Sequence, residues 1–343
     1  MQGSITLEPL PLAVKENYYA RKLSPQLLAD PGYRIWGVSV IQWTDGKYHA
    51  YYARWPEKRG FHGWLRYSEI AHAVSDHPEG PFVTTGTVIK NRHNDGWDVV
   101  NAHNPSVCVA DGKIALYYIS NNLSEAAKAD GEAMPPSEKW LNRNGKLFRN
   151  SQCIGVTIAD QPEGPFIRNQ EPVVQPDNRL FKSIAVNPAV HYREGRYTMI
   201  MKGDDVRREG VFRIQLVGHS AQPNGPFVFQ ETPIYDQYQT EDACIWYDET
   251  NQQYNSIVHV FGPTWARLIS SDGVNWREAE PFTFMTKEFV MEDGSIWKPS
   301  RVERPFVLTD ETGKPKILYL AIWDAAHKLN ANIAVPLTVR EGR

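Results

Sequence analysis

Five short phrases place acids, amides, a histidine and a cation at matching points of a recurring pattern. They are WGVS (Trp36 to Ser39), WDVVNAHNPS (Trp97 to Ser106), AVNPA (Ala185 to Ala189), TEDACIW (Thr240 to Trp246) and VERPF (Val302 to Phe306). The residues in them able to do chemistry are Asp98, His103, Asn104, Asn187, Glu241, Asp242, Glu303 and Arg304. Carboxyl groups facing one another across a cleft can cleave glycosidic bonds. One, its pKa raised, protonates the leaving oxygen while another activates water or attacks the anomeric carbon. Trp36, Trp97 and Trp246 offer flat apolar faces for a sugar ring, and Asn and Arg offer hydrogen bonds to its hydroxyls. Each residue alone has an ordinary structural use: Asp capping a turn, Asn-Pro forming one, or neighbouring Glu and Arg pairing as ions. Their recurrence at one position of a repeat is what points to a shared site.

The elements that must position these residues are strands. Each phrase runs into a strand, a polar turn and a second strand: SVIQWTDGKYHAYYA from Ser39, SVCVADGKIALYYIS from Ser106, AVHYREGRYTMIMK from Ala189, ACIWYDETNQQYNSIVHVF from Ala243 and FVLTDETGKPKILYLAIW from Phe306. Apolar residues alternate on the flanks of each turn, as hairpins require. A second repeat follows: SDHPEGPF (Ser75 to Phe82), ADQPEGPF (Ala159 to Phe166), SAQPNGPF (Ser220 to Phe227) and the degenerate SSDGVNW (Ser270 to Trp276). Pro and Gly at these offsets make a tight turn before an aromatic that re-enters a strand. Two hairpins per unit, five times over, predict an all-β fold, a five-bladed β-propeller of about four strands per blade. A β-sandwich does not predict the same two-hairpin phrase recurring five times. In a propeller the innermost strands line the channel, so Asp98, Asn187, Asp242 and Glu303 are expected around one mouth.

Residues 1–32 read as an N-terminal extension, either closing the ring or mediating a homo-oligomer, and 33–343 as one propeller domain carrying the site. Residues 121–150 interrupt blade 2 as a polar insertion, read either as a surface excursion or as a loop shaping one rim. The 343 residues are 41% hydrophobic and 12% aromatic, enough for a sizeable core, and 24 Gly with 24 Pro supply many turns. A net charge of −3 without a basic run gives no footprint for nucleic acid or an anionic membrane. Cys108, Cys153 and Cys244 are odd in number and far apart, which reads as buried thiols, with no disulfide framework. No stretch is apolar enough to span a bilayer, and the N-terminus lacks the pattern of a secretory signal. The reading is a soluble protein, with cytoplasm and periplasm both open.

The phrases GKYHAYYARWP, SEIAHAVSDHPEGPF, HNPSV, EDACIW and VERPFVL resemble those of five-bladed propeller glycosidases of families 43 and 117, more closely the latter, over roughly residues 33–325. The resemblance implies exo-acting hydrolysis of a terminal sugar from a plant or algal glycan, usually by inversion. It implies Asp98 as general base and Asp242 as the residue that orients the sugar and tunes the acid. The acid is left open. Family 43 takes it from a third-blade Glu, whereas AVNPA holds no acid, and the usual first-blade Asp is missing from WGVS. Family 117 uses a His, which points to His103, His259 or the approach MEDGSIWKPSRVER; Glu303 is the preferred carboxylic partner.

Two other classes stand beside an oligosaccharide hydrolase. A non-catalytic carbohydrate-binding propeller needs the tryptophans but not Asp98, Asp242 and Glu303. A phosphorylase needs a cationic cluster, for which Lys202, Arg207 and Arg208 in MKGDDVRREG are the nearest match, and a lyase could use His103 with Arg304. No organic cofactor is expected. No metal-binding spacing is strong, and a structural cation on the propeller axis stays open.

Overall fold

The computed structural model describes residues 4–262 and 264–340. Five antiparallel sheets set around one axis form a five-bladed β-propeller, and Phe289–Val290 pairs with Ile296–Trp297 as a separate two-stranded sheet. Blade 1 comprises Tyr33–Gln42, Tyr48–Pro56, Glu69–Ser75 and Val83–Ile89. Blade 2 comprises His103–Ala110, Lys113–Asn121, Gln152–Ala159 and Ile167–Arg168. Blade 3 comprises Phe181–Arg193, Arg196–Asp205, Arg213–Ser220 and Val228–Phe229. Blade 4 comprises Thr240–Asp248, Gln253–Val260, Thr264–Ser270 and Arg277–Thr286. Blade 5 takes Arg301–Thr309, Pro315–Asp324 and Leu329–Arg340 from the end of the chain, and its outer strand, Ser4–Leu7, from the beginning. The two ends of the sequence thus close the ring on one sheet.

Alternation explains why most central strands are buried on both faces. Tyr51 packs toward blade 2 and its neighbour Tyr52 toward blade 5. Among the described residues, five apolar clusters occupy the five blade junctions. Each fully buried Leu, Ile or aromatic contributes about 1.5–3 kcal/mol, so the ring is held by its junctions. A tyrosine on the second strand adds a lock: Tyr51 Oη donates to Pro162 O (2.9 Å), Tyr117 Oη to Pro223 O (2.7 Å), and Tyr319 Oη to Pro78 O. Those prolines belong to the repeated hairpins, whose Gly80, Gly164 and Gly225 all have φ near +90° and precede a cis proline. A Cβ on Gly164 would stand 2.9 Å from the Phe166 nitrogen, so the turn admits only glycine.

Antiparallel geometry sets which loops reach the channel mouth. Inner strands start there and second strands return to it, so the long connections after the second strands rise at that end. In blade 1 this connection carries Phe61 and the short helix Trp64–Tyr67. In blade 2 it is the insertion, with helices Ser124–Ala129, Glu138–Arg143 and Gly145–Asn150 packed through Leu123, Trp140, Leu141 and Phe148 on Val99 and Val100.

Candidate active site

Each inner strand breaks its pairing register in its first half, and the residue in that break has positive φ in every blade: Gly37, Asn104, Asn187, Asp242 and Arg304. The bulge turns these side chains across the axis, where they meet as a polar ring. Asn104 Nδ2 donates to Asn187 Oδ1 (2.7 Å), and Asn187 Nδ2 donates to Asp242 Oδ1 (2.5 Å). The Arg304 backbone N–H donates to Asp242 Oδ2 (3.2 Å), and its guanidinium lies 3.6 Å from Asp242 Oδ1. Gly37 closes the ring at φ +56°, a conformation that favours glycine, and a Cβ there would lie a tight 3.3 Å from Asn104 Oδ1 and 3.4 Å from Arg304 Cβ. Arg304 thereby places a side-chain cation on the axis.

Above this ring lies a cavity of about 230 Å³. Trp36, Trp55, Phe61 and Trp64 wall one side; Glu241, Asp242 and Glu303 face it from blades 4 and 5; Lys202, Arg149 and Arg301 supply cations. Lys202 Nζ is 3.1 Å from Glu241 Oε1, and Arg301 Nη1 is 3.2 Å from Glu303 Oε1. Burial disfavours a charged Asp242, but Arg304, Lys202, His259 and the Arg304 N–H outweigh it and hold the carboxyl below the usual range. Glu303 goes the other way. Burial first, then the neighbouring Asp242 charge, push it up to about 7 against the pull of Arg301 and Lys202. Two carboxyl groups at one site with pKa values driven apart are the arrangement an acid and a charged partner need.

Of the residues singled out in the sequence, Trp36, His103, Asn104, Asn187, Lys202, Glu241, Asp242, Glu303 and Arg304 all line this cavity. Asp98, Trp97, Trp246, His259, Arg207 and Arg208 do not. Asp98 is 2% exposed away from the cavity wall, accepting from Tyr118 Oη (2.5 Å) and Arg168 Nη1 (2.7 Å), so its carboxylate is tied up within blade 2. Trp97 lies in the blade 1–2 core beside the Tyr118 ring, and Trp246 in the core between blades 4 and 5. His103 stacks on Trp64 with its Nδ1 2.8 Å from Ser68 Oγ. Burial, then Arg304, push its pKa down to about 3, so it holds no imidazolium proton to donate at neutral pH. His259 packs against Trp265 beside the cavity without lining it. Arg207 pairs with Asp205, and Arg208 stacks over Phe212.

Trp55, Phe61, Trp64, Arg149, Gln152 and Arg301 were not anticipated. For Trp55, Phe61 and Trp64 the signal was there: ARWPEKRGFHGWLRY runs from the end of a second strand into the connection beyond it, and such connections rise at the mouth.

No protein-family profile matches the sequence, and neither does any curated protein sequence. Solved structures do match. Zg3597, a family 117 glycoside hydrolase of the marine bacterium Zobellia galactanivorans, aligns over 99% of this chain and 91% of its own at 15% identity, TM-score 0.64. The GH43_1 enzyme of Xanthomonas citri complexed with xylotriose aligns over 94% and 92% at 14% identity, TM-score 0.58. The RS223 β-xylosidase aligns over 92% and 94% at 14% identity, TM-score 0.56. The likeness establishes the fold. Its fold neighbours are glycoside hydrolases, and among the described residues no helix is long and apolar enough to cross a membrane.

Proposed function

We propose that the chain is an exo-acting glycoside hydrolase that removes a terminal sugar from a plant or algal oligosaccharide. The observation that carries this reading is the convergence of Glu241, Asp242 and Glu303 on one aromatic-walled cavity closed below by the polar ring. A closed floor admits a chain end, and about 230 Å³ is below the roughly 300–1,000 Å³ of pockets for larger ligands. Trp36 and Trp64 offer the apolar faces. At the floor, Arg304 Nε and Asn104 Oδ1 are buried with no hydrogen-bond partner among the described residues, which suits a donor and an acceptor to sugar hydroxyls.

In this reading Glu303 is the general acid and protonates the leaving oxygen. Asp242, buried and already hydrogen-bonded, supplies the negative charge that keeps the proton on Glu303. Glu241, ion-paired to Lys202, is the base that takes a proton from the attacking water, giving inversion. That role was expected of Asp98, whose carboxylate is spent on Tyr118 and Arg168.

The test is a screen of algal and plant oligosaccharides with detection of released monosaccharide, followed by early-time proton NMR of the product. Release from the non-reducing end in the anomeric form opposite to the substrate's is expected. An unsaturated product, a sugar phosphate formed only with added phosphate, or binding without turnover would each contradict the reading.

A further inference from the structure

A second group of chemically capable residues lies outside the cavity, at the junction of blades 1 and 2. His49 and His72 sit on adjacent strands of blade 1, both 1% exposed, with His49 Nδ1 3.0 Å from His72 Nε2. Glu163, from the repeated hairpin of blade 2, completes a set in which one donor atom of each residue lies within 4.8 Å of the others. We propose that His49, His72 and Glu163 form a binding site for a zinc-class divalent cation that staples blade 1 to blade 2.

The repeat supplies the argument, because the same two positions can be compared between blades. Tyr51, Tyr117 and Tyr319 are equivalent through their hydrogen bonds to a hairpin proline. Two residues before each stand His49, Ala115 and Ile317; opposite each on the third strand stand His72, Val156 and Ala334. The junctions of blades 2–3 and 5–1 therefore fill these positions with apolar side chains, and the fold does not require histidine there.

The far side of each imidazole is also held. His49 Nε2 is 3.2 Å from Asp45 Oδ2, and His72 Nδ1 is 2.6 Å from Thr85 Oγ1. Partners on the distal nitrogen are what fix the tautomer and aim of a metal-ligating histidine. Zinc with nitrogen ligands at 2.0–2.1 Å sets two of them about 3.3 Å apart, a small opening from 3.0 Å. Glu163 is exposed at its turn, with a carboxylate oxygen already within 4.8 Å of both imidazoles. Two imidazoles and one carboxylate leave a fourth position for water, a donor set that suits zinc better than calcium or magnesium.

The experiment uses the full, tag-free, chelator-treated protein titrated with Zn²⁺ by calorimetry, and with Co²⁺ for its visible absorption. Expected are one high-affinity ion per chain and a raised Tm. Glu163→Gln, at an exposed turn that leaves the fold intact, weakens binding more than about tenfold, and Asp45→Asn weakens it about 10–100-fold. His72→Ala abolishes the cobalt absorption. Failure of the wild type to bind, or equal binding by Glu163→Gln and His72→Ala, would leave only a buried histidine pair sharing a hydrogen bond and would overturn the site. Neither outcome bears on sugar cleavage at the axis.

Discussion

Asp242 accepts the backbone N–H of Arg304 at 3.2 Å, which ties the inner strand of blade 4 to that of blade 5 and fixes Glu303 beside a buried negative charge. Removing that charge is the cleanest probe of the site. Asp242→Asn lowers the Glu303 pKa, because one cause of its rise is gone. The alkaline limb of the kcat/KM profile, which for the wild type falls near pH 7, then moves to lower pH. A profile that keeps its alkaline limb would show that Asp242 does not hold the proton.

Glu303→Gln is expected to reduce turnover of the oligosaccharide about 10²–10⁴-fold with the fold intact. It also changes stability with a definite sign. A folded pKa of about 7 lies above the unfolded value, so the group's contribution is fully present at low pH and lost as pH rises through about 7. Glu303→Gln is therefore more stable than the wild type at pH 8, by on the order of 1–3 kcal/mol, and melts at a higher temperature there, with little difference at pH 4. Thermal melts at the two pH values check this.

Asp98→Asn separates packing from chemistry. Losing charge on a carboxylate bound by Arg168 and Tyr118 should cost about 2–3 kcal/mol of stability. The folded fraction keeps kcat/KM within about tenfold of the wild type. A loss beyond about 10²-fold in a fully folded sample would return Asp98 to the catalytic machinery.

Gly37→Ala tests the ring. An alanine at φ +56° costs about 1–2 kcal/mol in backbone strain and crowds Arg304 Cβ at 3.4 Å. Reduced kcat/KM together with a lower Tm is expected, and unchanged kinetics would show that Arg304 need not hold its position.

The fold was legible because two different hairpin phrases recur, and recurrence is independent of the weak propensity of any one strand. The polar ring was half legible: Asn104, Asn187, Asp242 and Arg304 stood out as polar residues at strand starts, but the bulge that turns them inward left no composition signal. Asp98 lies off the cavity wall because it precedes its inner strand, and the residue in its register break, by five residues or more. The aromatic wall was missed for a topological reason. Phe61, Trp64 and Arg149 lie on connections that follow second strands, and their arrival at the mouth follows from strand direction, not from residue type.

Whether Glu303 gives a proton to the departing sugar oxygen is tested most directly by one pair of substrates. An aryl glycoside with a strongly acidic phenol leaves without protonation, whereas the natural oligosaccharide does not. Glu303→Gln is expected to cleave the dinitrophenyl glycoside of the released sugar at close to the wild-type rate while losing about 10²–10⁴-fold on the oligosaccharide. Equal losses on both substrates, or no loss on the oligosaccharide, would contradict it.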